Sequence, residues 1–215
     1  FFVYKNKSIL ENILDKVLYF TSNILIVVNE NDKKKCKLIL KKYNNRNIKI
    51  VIQKEINGMA TAIQLALKKT KTKNFFSIWG DQLGLSKKTM RITIDFFEKN
   101  KFSVIFPAVY KKKPYTVVNL KNGSFLKNIK QSREYKIFTK KGYSDCGFFC
   151  CKTSSVRSSL NQLIRSKSII TKKTKEHDFL LFLNILAKKN RIKVLKSTNI
   201  KDCIGVNFKQ DLNLL

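Results

Sequence analysis

Apolar residues recur along this chain in two alternating patterns. Short runs rich in β-branched and aromatic residues fall at 23–28 (NILIVV), 48–53 (IKIVIQ), 74–79 (NFFSIW), 102–109 (FSVIFPAV), 115–120 (YTVVNL), 147–152 (GFFCCK) and 192–196, and each predicts a strand. Between them, segments 8–19, 32–43, 58–70, 86–100, 154–165 and 175–190 place apolar side chains at helical intervals. Helix-start chemistry sits where this pattern needs it: Ser8 with Glu11 three residues on, Asn31 with Asp32, and Ser86. Strands that are apolar along most of their length, joined by helices, predict a mainly parallel sheet covered on both faces, and so an α/β fold. The rhythm breaks at 115–130, where two strand-like runs flank LKNGSF and the Asn122-Gly123 pair predicts an antiparallel hairpin. With neither an internal repeat nor a linker, residues 1–215 read as a single domain.

Composition changes the picture in two places. Hydrophobic residues make up 43% of the chain, enough for a real core, so a disordered polybasic tail is excluded despite a net charge of +31. That charge admits a rival reading, a non-catalytic basic α/β module that binds nucleic acid. Two observations weigh against it. The cations are 39 Lys and only 6 Arg, beside 20 Asn, 23 Ile and 5 Ala, a skew expected of an A/T-rich gene, whereas phosphate and base readers favour Arg. Phe75, Phe76, Phe102, Phe148 and Phe149 also lie inside predicted strands, where core packing outweighs base stacking.

No apolar run approaches the roughly 18 residues of a membrane span. The opening FFVYKNKSIL has neither Met nor the features of a signal peptide, and the chain reads as cut at its front. Five cysteines without a C-x-x-C pair, and a single His177, argue against structural zinc; reduced, buried thiols in a cytoplasmic protein are expected instead. His177, between Glu176 and Asp178, reads as a surface cap.

In open α/β sheets, ligands bind beyond the carboxyl ends of the strands. Three such places carry chemistry. After FFSIW comes Gly80-Asp81-Gln82, where the carboxylate can hold Mg²⁺ beside a nucleotide or cap the next turn. After IKIVI comes Gln53, whose amide can meet a base edge, and then Gly58-Met59-Ala60, small enough at a helix start for backbone N–H groups to approach a phosphate. Late in the chain, IKDCIGVNF presents Asn207, an oxygen donor that could join Asp81 on a metal.

In this order, the segments resemble the sugar-1-phosphate nucleotidylyltransferases. FFVYKNKSILENIL is similar to the stretch that follows the family's Pro-Lys pair; QKEINGMATAI to its Q-x-x-x-x-G-[TM]-A-x-A segment; FFSIWGDQ to its strand ending in Gly-Asp; GYSDCGFFCCK to N-x-G-[IF]-Y; and IGVNFKQDL to the late G-V-N. The resemblance implies a Rossmann-like three-layer sandwich with a mainly parallel central sheet and a small antiparallel insertion. It further implies that Asp81 and Asn207 hold Mg²⁺, with Asp81 the catalytic carboxylate. Gln53, Gly58, Met59 and Gly80 would face the nucleotide, and Asp145 and Gly147 the sugar phosphate. The implied reaction joins a nucleoside triphosphate to a sugar 1-phosphate or related phosphate acceptor with release of pyrophosphate.

Three departures accompany the likeness. The family's first strand and glycine-rich loop, roughly 20 residues, would lie ahead of Phe1, and without them the chain is expected to be a poor catalyst or an inactive relative. Asp145 stands where many members have Asn, and Thr116 where many have Gly. Lys130 occupies the place nearest a family Glu, and Glu134 is given no role.

Overall fold

The computed structural model describes residues 2–43, 47–136, 139–189 and 192–215. A hairpin of β1 (Val3–Tyr4) and β2 (Lys7–Ser8) leads into α1 (Ile9–Val17), followed by β3 (Asn23–Asn29), α2 (Lys33–Leu40), β4 (Asn47–Gln53), α3 (Met59–Lys68) and β5 (Asn74–Ile78). Next come α4 (Lys87–Lys99), β6 (Val104–Lys112), β7 (Thr116–Lys121), β8 (Phe125–Gln131) and the single turn α5 (Ser132–Tyr135). The chain ends with β9 (Lys141–Asp145), β10 (Phe148–Lys152), α6 (Thr153–Arg165), α7 (Phe179–Lys189), β11 (Ile192–Ser197) and two 3-10 turns, Ile200–Cys203 and Lys209–Leu214. Every predicted strand and helix has its counterpart; the predicted end of the last helix, residue 190, lies outside the described residues.

The α/β class and the layers hold. β6 shows why: Val104, Phe106 and Ala108 point into one core with α3, α6 and α7, while Ile105 and Val109 point into the other with α1 and α4. Phe148 and Phe149, fully buried, divide between the two cores in the same way. Phe75 packs on the first core, and Phe76 and Phe102 on the second.

The sheet is mixed. β6 runs parallel to β11 and antiparallel to β9 and β10, and β5 is antiparallel to β10. β3 and β4 form a separate parallel pair. The expected hairpin is β7–β8, turning through Asn122 (φ 48°) and Gly123 (φ 71°), the paired positive φ values of a type I′ turn. Among the described residues no helix is long and apolar enough to cross a membrane.

Two sequence expectations need correcting. Asp32 precedes α2 in helical conformation and makes no capping bond; it is held instead by Asn29, whose Oδ1 accepts from the Asp32 N–H (2.8 Å) and whose Nδ2 donates to the Asp32 carboxylate (2.7 Å). His177 is no surface cap. Its two ring nitrogens are buried with no hydrogen-bond partner among the described residues, and Asp178 caps α7 by accepting from the Leu181 N–H at 2.8 Å.

The start of α1 follows the expected chemistry. Ser8 Oγ accepts from the Glu11 N–H (3.2 Å), and the Glu11 carboxylate accepts from the Ser8 N–H (2.8 Å). Lys42 Nζ donates to the second Glu11 oxygen at 2.7 Å. That ion pair and the Ser8 bonds push the Glu11 carboxyl down to about 2. A carboxylate with a depressed folded pKa adds stability above its unfolded pKa, near 4.3, and loses it as pH falls through the folded value. Glu11→Gln is therefore expected to cost about 1 kcal/mol at pH 7 and to flatten the loss of stability between about pH 4.5 and 2 in denaturant melts.

Candidate active site

Asp81 sits one turn beyond β5. The Trp79 N–H donates to the Gly147 carbonyl (3.0 Å), carrying the β5–β10 ladder past the end of the strand, and the Leu83 N–H donates to the Asp81 carbonyl (2.8 Å). The late IGVN segment docks on the same turn: the Val206 N–H donates to the Asp81 carbonyl (2.8 Å) and the Gly84 N–H to the Ile204 carbonyl (2.9 Å). This brings the Asn207 side chain into a hydrogen bond with the Asp81 carboxylate. A Cβ on Gly205 would stand 3.0 Å from Asp81 Oδ2, so glycine keeps the carboxylate in place. The two residues implied as metal ligands, 126 positions apart by 207 − 81, thus meet.

Burial pushes the Asp81 carboxyl up, and the charges of Asp145 and Asp211 push it further. The donor set fits Mg²⁺: a half-buried carboxylate and an amide, both hard oxygen donors, lie in a region of excess negative charge that a divalent cation would balance. Mg²⁺ characteristically takes only one or two protein carboxylates and fills its remaining positions from phosphates and water.

Asp145, at the end of β9, lies on the same edge. Its Oδ2 accepts from Thr116 Oγ1 (2.6 Å) and its Oδ1 from the Gly147 N–H (2.8 Å). The two departures from the family pattern therefore touch: the threonine supplies a hydroxyl to the carboxylate that replaces an amide. Burial pushes the Asp145 carboxyl up, and these two bonds oppose the shift. Gly147 has φ 61°, and a Cβ there would lie 2.6 Å from the Trp79 ring and 2.7 Å from Gln82 Oε1, so only glycine lets the chain kink from β9 into β10.

Gln53, the last residue of β4, turns its amide nitrogen onto the following loop, donating to Asn57 Oδ1 (3.1 Å), the Gly58 carbonyl (3.1 Å) and Thr61 Oγ1 (3.0 Å). This fixes the amide plane, leaving Oε1 as the group available to a base. The expected approach of a phosphate to the start of α3 meets an obstacle, because the Ala60 N–H already donates to the His177 carbonyl (3.1 Å). Gly58 is glycine because that carbonyl passes close by, and Met59 is half-buried against the core. Gly80, by contrast, is exposed, with open space where a Cβ would stand.

One segment ties the two halves of the site together. His177 packs on Gly58 beside Gln53, and Phe179, two residues on, meets the Trp79 ring edge-on at 5.9 Å beside Asp81. Sequence reasoning missed this segment, and it missed the support beneath Asp81. Gln82 is buried and donates to the Asp202 carbonyl (2.9 Å), while the fully buried Asp202 carboxylate accepts from the Ser86 N–H (2.9 Å), Ser197 Oγ (2.8 Å), Asn199 Nδ2 (2.9 Å) and Thr89 Oγ1 (2.5 Å). The available signal was the cluster of polar residues after each of two strand ends, which spacing alone does not connect.

Comparisons with known proteins bear on the family and the fold. Residues 3–165 match the family described as glycosyl transferase family 2. The bifunctional protein GlmU of Buchnera aphidicola subsp. Schizaphis graminum (strain Sg) is 31% identical over 216 residues, spanning 97% of this chain and 44% of the relative, so the chain spans less than half the length of that protein. Among solved structures, the inositol-1-phosphate CTP transferase from T. maritima has a TM-score of 0.71 at 14% identity, covering 100% of this chain and 84% of its own. A UDP-glucose pyrophosphorylase complexed with UDP-glucose matches with a TM-score of 0.71 at 16% identity over 98% and 87% of the two chains. The 4-diphosphocytidyl-2C-methyl-D-erythritol synthase from Anaerococcus prevotii DSM 20548 matches with a TM-score of 0.70 at 18% identity over 99% and 89%. The chain belongs to glycosyl transferase family 2 and has the Rossmann-like fold of the sugar-phosphate nucleotidyltransferases it resembles.

Proposed function

We propose that this chain is the catalytic domain of a Mg²⁺-dependent nucleotidyltransferase, which moves a nucleoside monophosphate from a nucleoside triphosphate onto a sugar 1-phosphate or similar phosphate. The observation that carries the reading is the meeting of Asp81 with Asn207 at the carboxyl edge of the sheet, with Asp145 in electrostatic reach. In the reaction, an acceptor phosphate oxygen forms a bond to the α-phosphorus and the bond from that phosphorus to the β-phosphate oxygen breaks, releasing pyrophosphate. The attacking oxygen is already ionised at neutral pH, so the protein need supply no nucleophile and no base. Positioning and charge do the work.

Asp81 and Asn207 hold the cation, which when bound supplies charge neutralisation on the triphosphate. Gln53 presents Oε1 to the base, Gly80 admits the nucleotide against bare backbone, and Asp145 with Gly147 orients the acceptor. The surrounding field of +31 draws in anionic substrates. A cytoplasmic setting goes with this reading, supported by five free cysteines, four of them buried. The family match favours one second reading, glycosyl transfer from a nucleoside diphosphate sugar, whose leaving group is a nucleoside diphosphate.

Trp79, the only tryptophan, adjoins Gly80 and Asp81 and reports on the site. With Mg²⁺ present, one of the four ribonucleoside triphosphates is expected to change its fluorescence saturably, and Gln53→Ala is expected to weaken that binding about tenfold. Unaltered affinity in the variant would move the base pocket elsewhere.

A further inference from the structure

The turn that carries Asp81 is held at each step between that residue and α4. Gln82 donates through Nε2 to the Asp202 carbonyl (2.9 Å), the Gly84 N–H to the Ile204 carbonyl (2.9 Å), and the Ser86 N–H to the Asp202 carboxylate (2.9 Å). The two remaining residues, Leu83 and Leu85, offer their carbonyls to α1, and one side chain meets both. Lys16 Nζ donates to the Leu83 carbonyl (2.5 Å) and to the Leu85 carbonyl (3.0 Å). Its stem leaves the helix beside Ile13 and Val17, which share a core with the Leu83 and Leu85 side chains.

Burial gives these two bonds their weight. Leu83 and Leu85 are buried, and a buried carbonyl deprived of its donor draws in water, which here the turn must open to admit. Opening would separate the two implied ligands. The Leu83 N–H donates to the Asp81 carbonyl, and Gly84 holds Ile204, three residues before Asn207, so both Asp81 and Asn207 are anchored to the stretch that Lys16 grips.

Charge reinforces the geometry. Burial pushes the pKa of the half-buried Lys16 ammonium down, and the charge of Asp202 opposes that shift. The two charged groups grip the turn in complementary ways, the ammonium through the carbonyls of Leu83 and Leu85 and the carboxylate through the Ser86 N–H, each bond being charge-assisted. We infer that Lys16 is a positioning residue for the cation site, acting through the carbonyls of Leu83 and Leu85 to hold Asp81 and Asn207 at the spacing a divalent cation needs. The inference rests on the reading of Asp81 and Asn207 as cation ligands.

Binding of Mn²⁺, which shares the oxygen preference of Mg²⁺, tests this by electron paramagnetic resonance without reference to turnover. Mn²⁺ binding that Asp81→Asn removes first identifies the site. Lys16→Met keeps an unbranched stem and removes the charge and the donors. It is expected to weaken that binding about tenfold and to speed hydrogen exchange about tenfold at Leu83, Gly84 and Val206, with β6 and β10 unchanged. Lys16→Arg, which keeps the charge and several donors, is expected to stay within about threefold of the parent on both readouts. Should Lys16→Met fold badly, the parent supplies a second test: saturating Mn²⁺ is expected to slow exchange at the same three amides about threefold or more. Unaltered Mn²⁺ affinity in folded Lys16→Met, exchange speeded equally in β6 and β10, or amides that ignore Mn²⁺ in the parent would each overturn the role of Lys16 while leaving the cation site standing. Absence of any Asp81-dependent Mn²⁺ binding overturns the cation reading itself, and the inference with it.

Discussion

Asp81→Asn is expected to lower pyrophosphate release about a thousand-fold or to background, while the variant should melt at the same temperature or a few degrees higher. On the proposed reading the activity loss follows from removing the carboxylate that would hold the cation, a contribution of several kcal/mol to charge stabilisation, each ~1.4 kcal/mol being a factor of ten in rate. The stability effect has the opposite sign and the same origin. Burial, Asp145 and Asp211 all disfavour the ionised form of Asp81 in the folded protein, so at neutral pH its charge costs stability that a neutral amide would restore. A gain of about 1 kcal/mol corresponds to about 2–4 °C in a chain of this size. Turnover together with thermal melting checks both halves. A variant that loses activity by unfolding would show a lowered melting temperature, and unchanged turnover would remove Asp81 from the mechanism.

Gly58→Ala is expected to destabilise the fold by about 3 kcal/mol and to weaken nucleotide binding along with it. Gly58 has φ 106° and ψ 172°, a backbone region that L-residues occupy at a cost of about 1–3 kcal/mol. An added Cβ would also sit 2.3 Å from the His177 carbonyl oxygen and 2.9 Å from its nitrogen, and relief requires moving the backbone that holds the Ala60 and Asn57 hydrogen bonds. Displacing that segment disturbs both ends of the site, since Gln53 donates to the Gly58 carbonyl and Phe179 packs on Trp79. The melting temperature is expected to fall by about 6–12 °C. Gly80→Ala provides the contrast: nothing lies within 4 Å of its Cβ position, so it should melt like the parent and lose nucleotide affinity only. Equal melting of Gly58→Ala and the parent would show that the His177 contact is not structural.

Much of this was legible in the sequence because it is local. The periodicity of NILIVV, the Ser8–Glu11 box and the Asn122-Gly123 turn each act within a few residues, and the structure has β3, the capped α1 and the β7–β8 hairpin there. The places of Asp81 and Asn207 after strand-like runs raised their pairing and the resemblance specified it, since nothing in either segment selects the other. β9 was not legible: KGYSD has no apolar alternation and becomes a strand by pairing with β6, from Ala108 opposite Asp145 to Lys112 opposite Lys141. The start of α7 was placed too early. Lys175 has φ 59° and Asp178 supplies the cap, so the helix begins at Phe179. His177 was misread because an isolated polar residue between two acids looks solvated, whereas tertiary packing turns its ring inward and uses its carbonyl.

The central claim is that Asp81, Asn207, Gln53 and Asp145 form one nucleotidyl-transfer site. Product release by the protein is the test, with Mg²⁺, across the four nucleoside triphosphates and a panel of sugar 1-phosphates. Pyrophosphate is expected in equal yield with a nucleotide-linked product for one triphosphate and one acceptor, lost on chelation and in Asp81→Asn. A folded protein that releases no pyrophosphate across the panel, or that instead releases nucleoside diphosphate from nucleotide sugars, would contradict it.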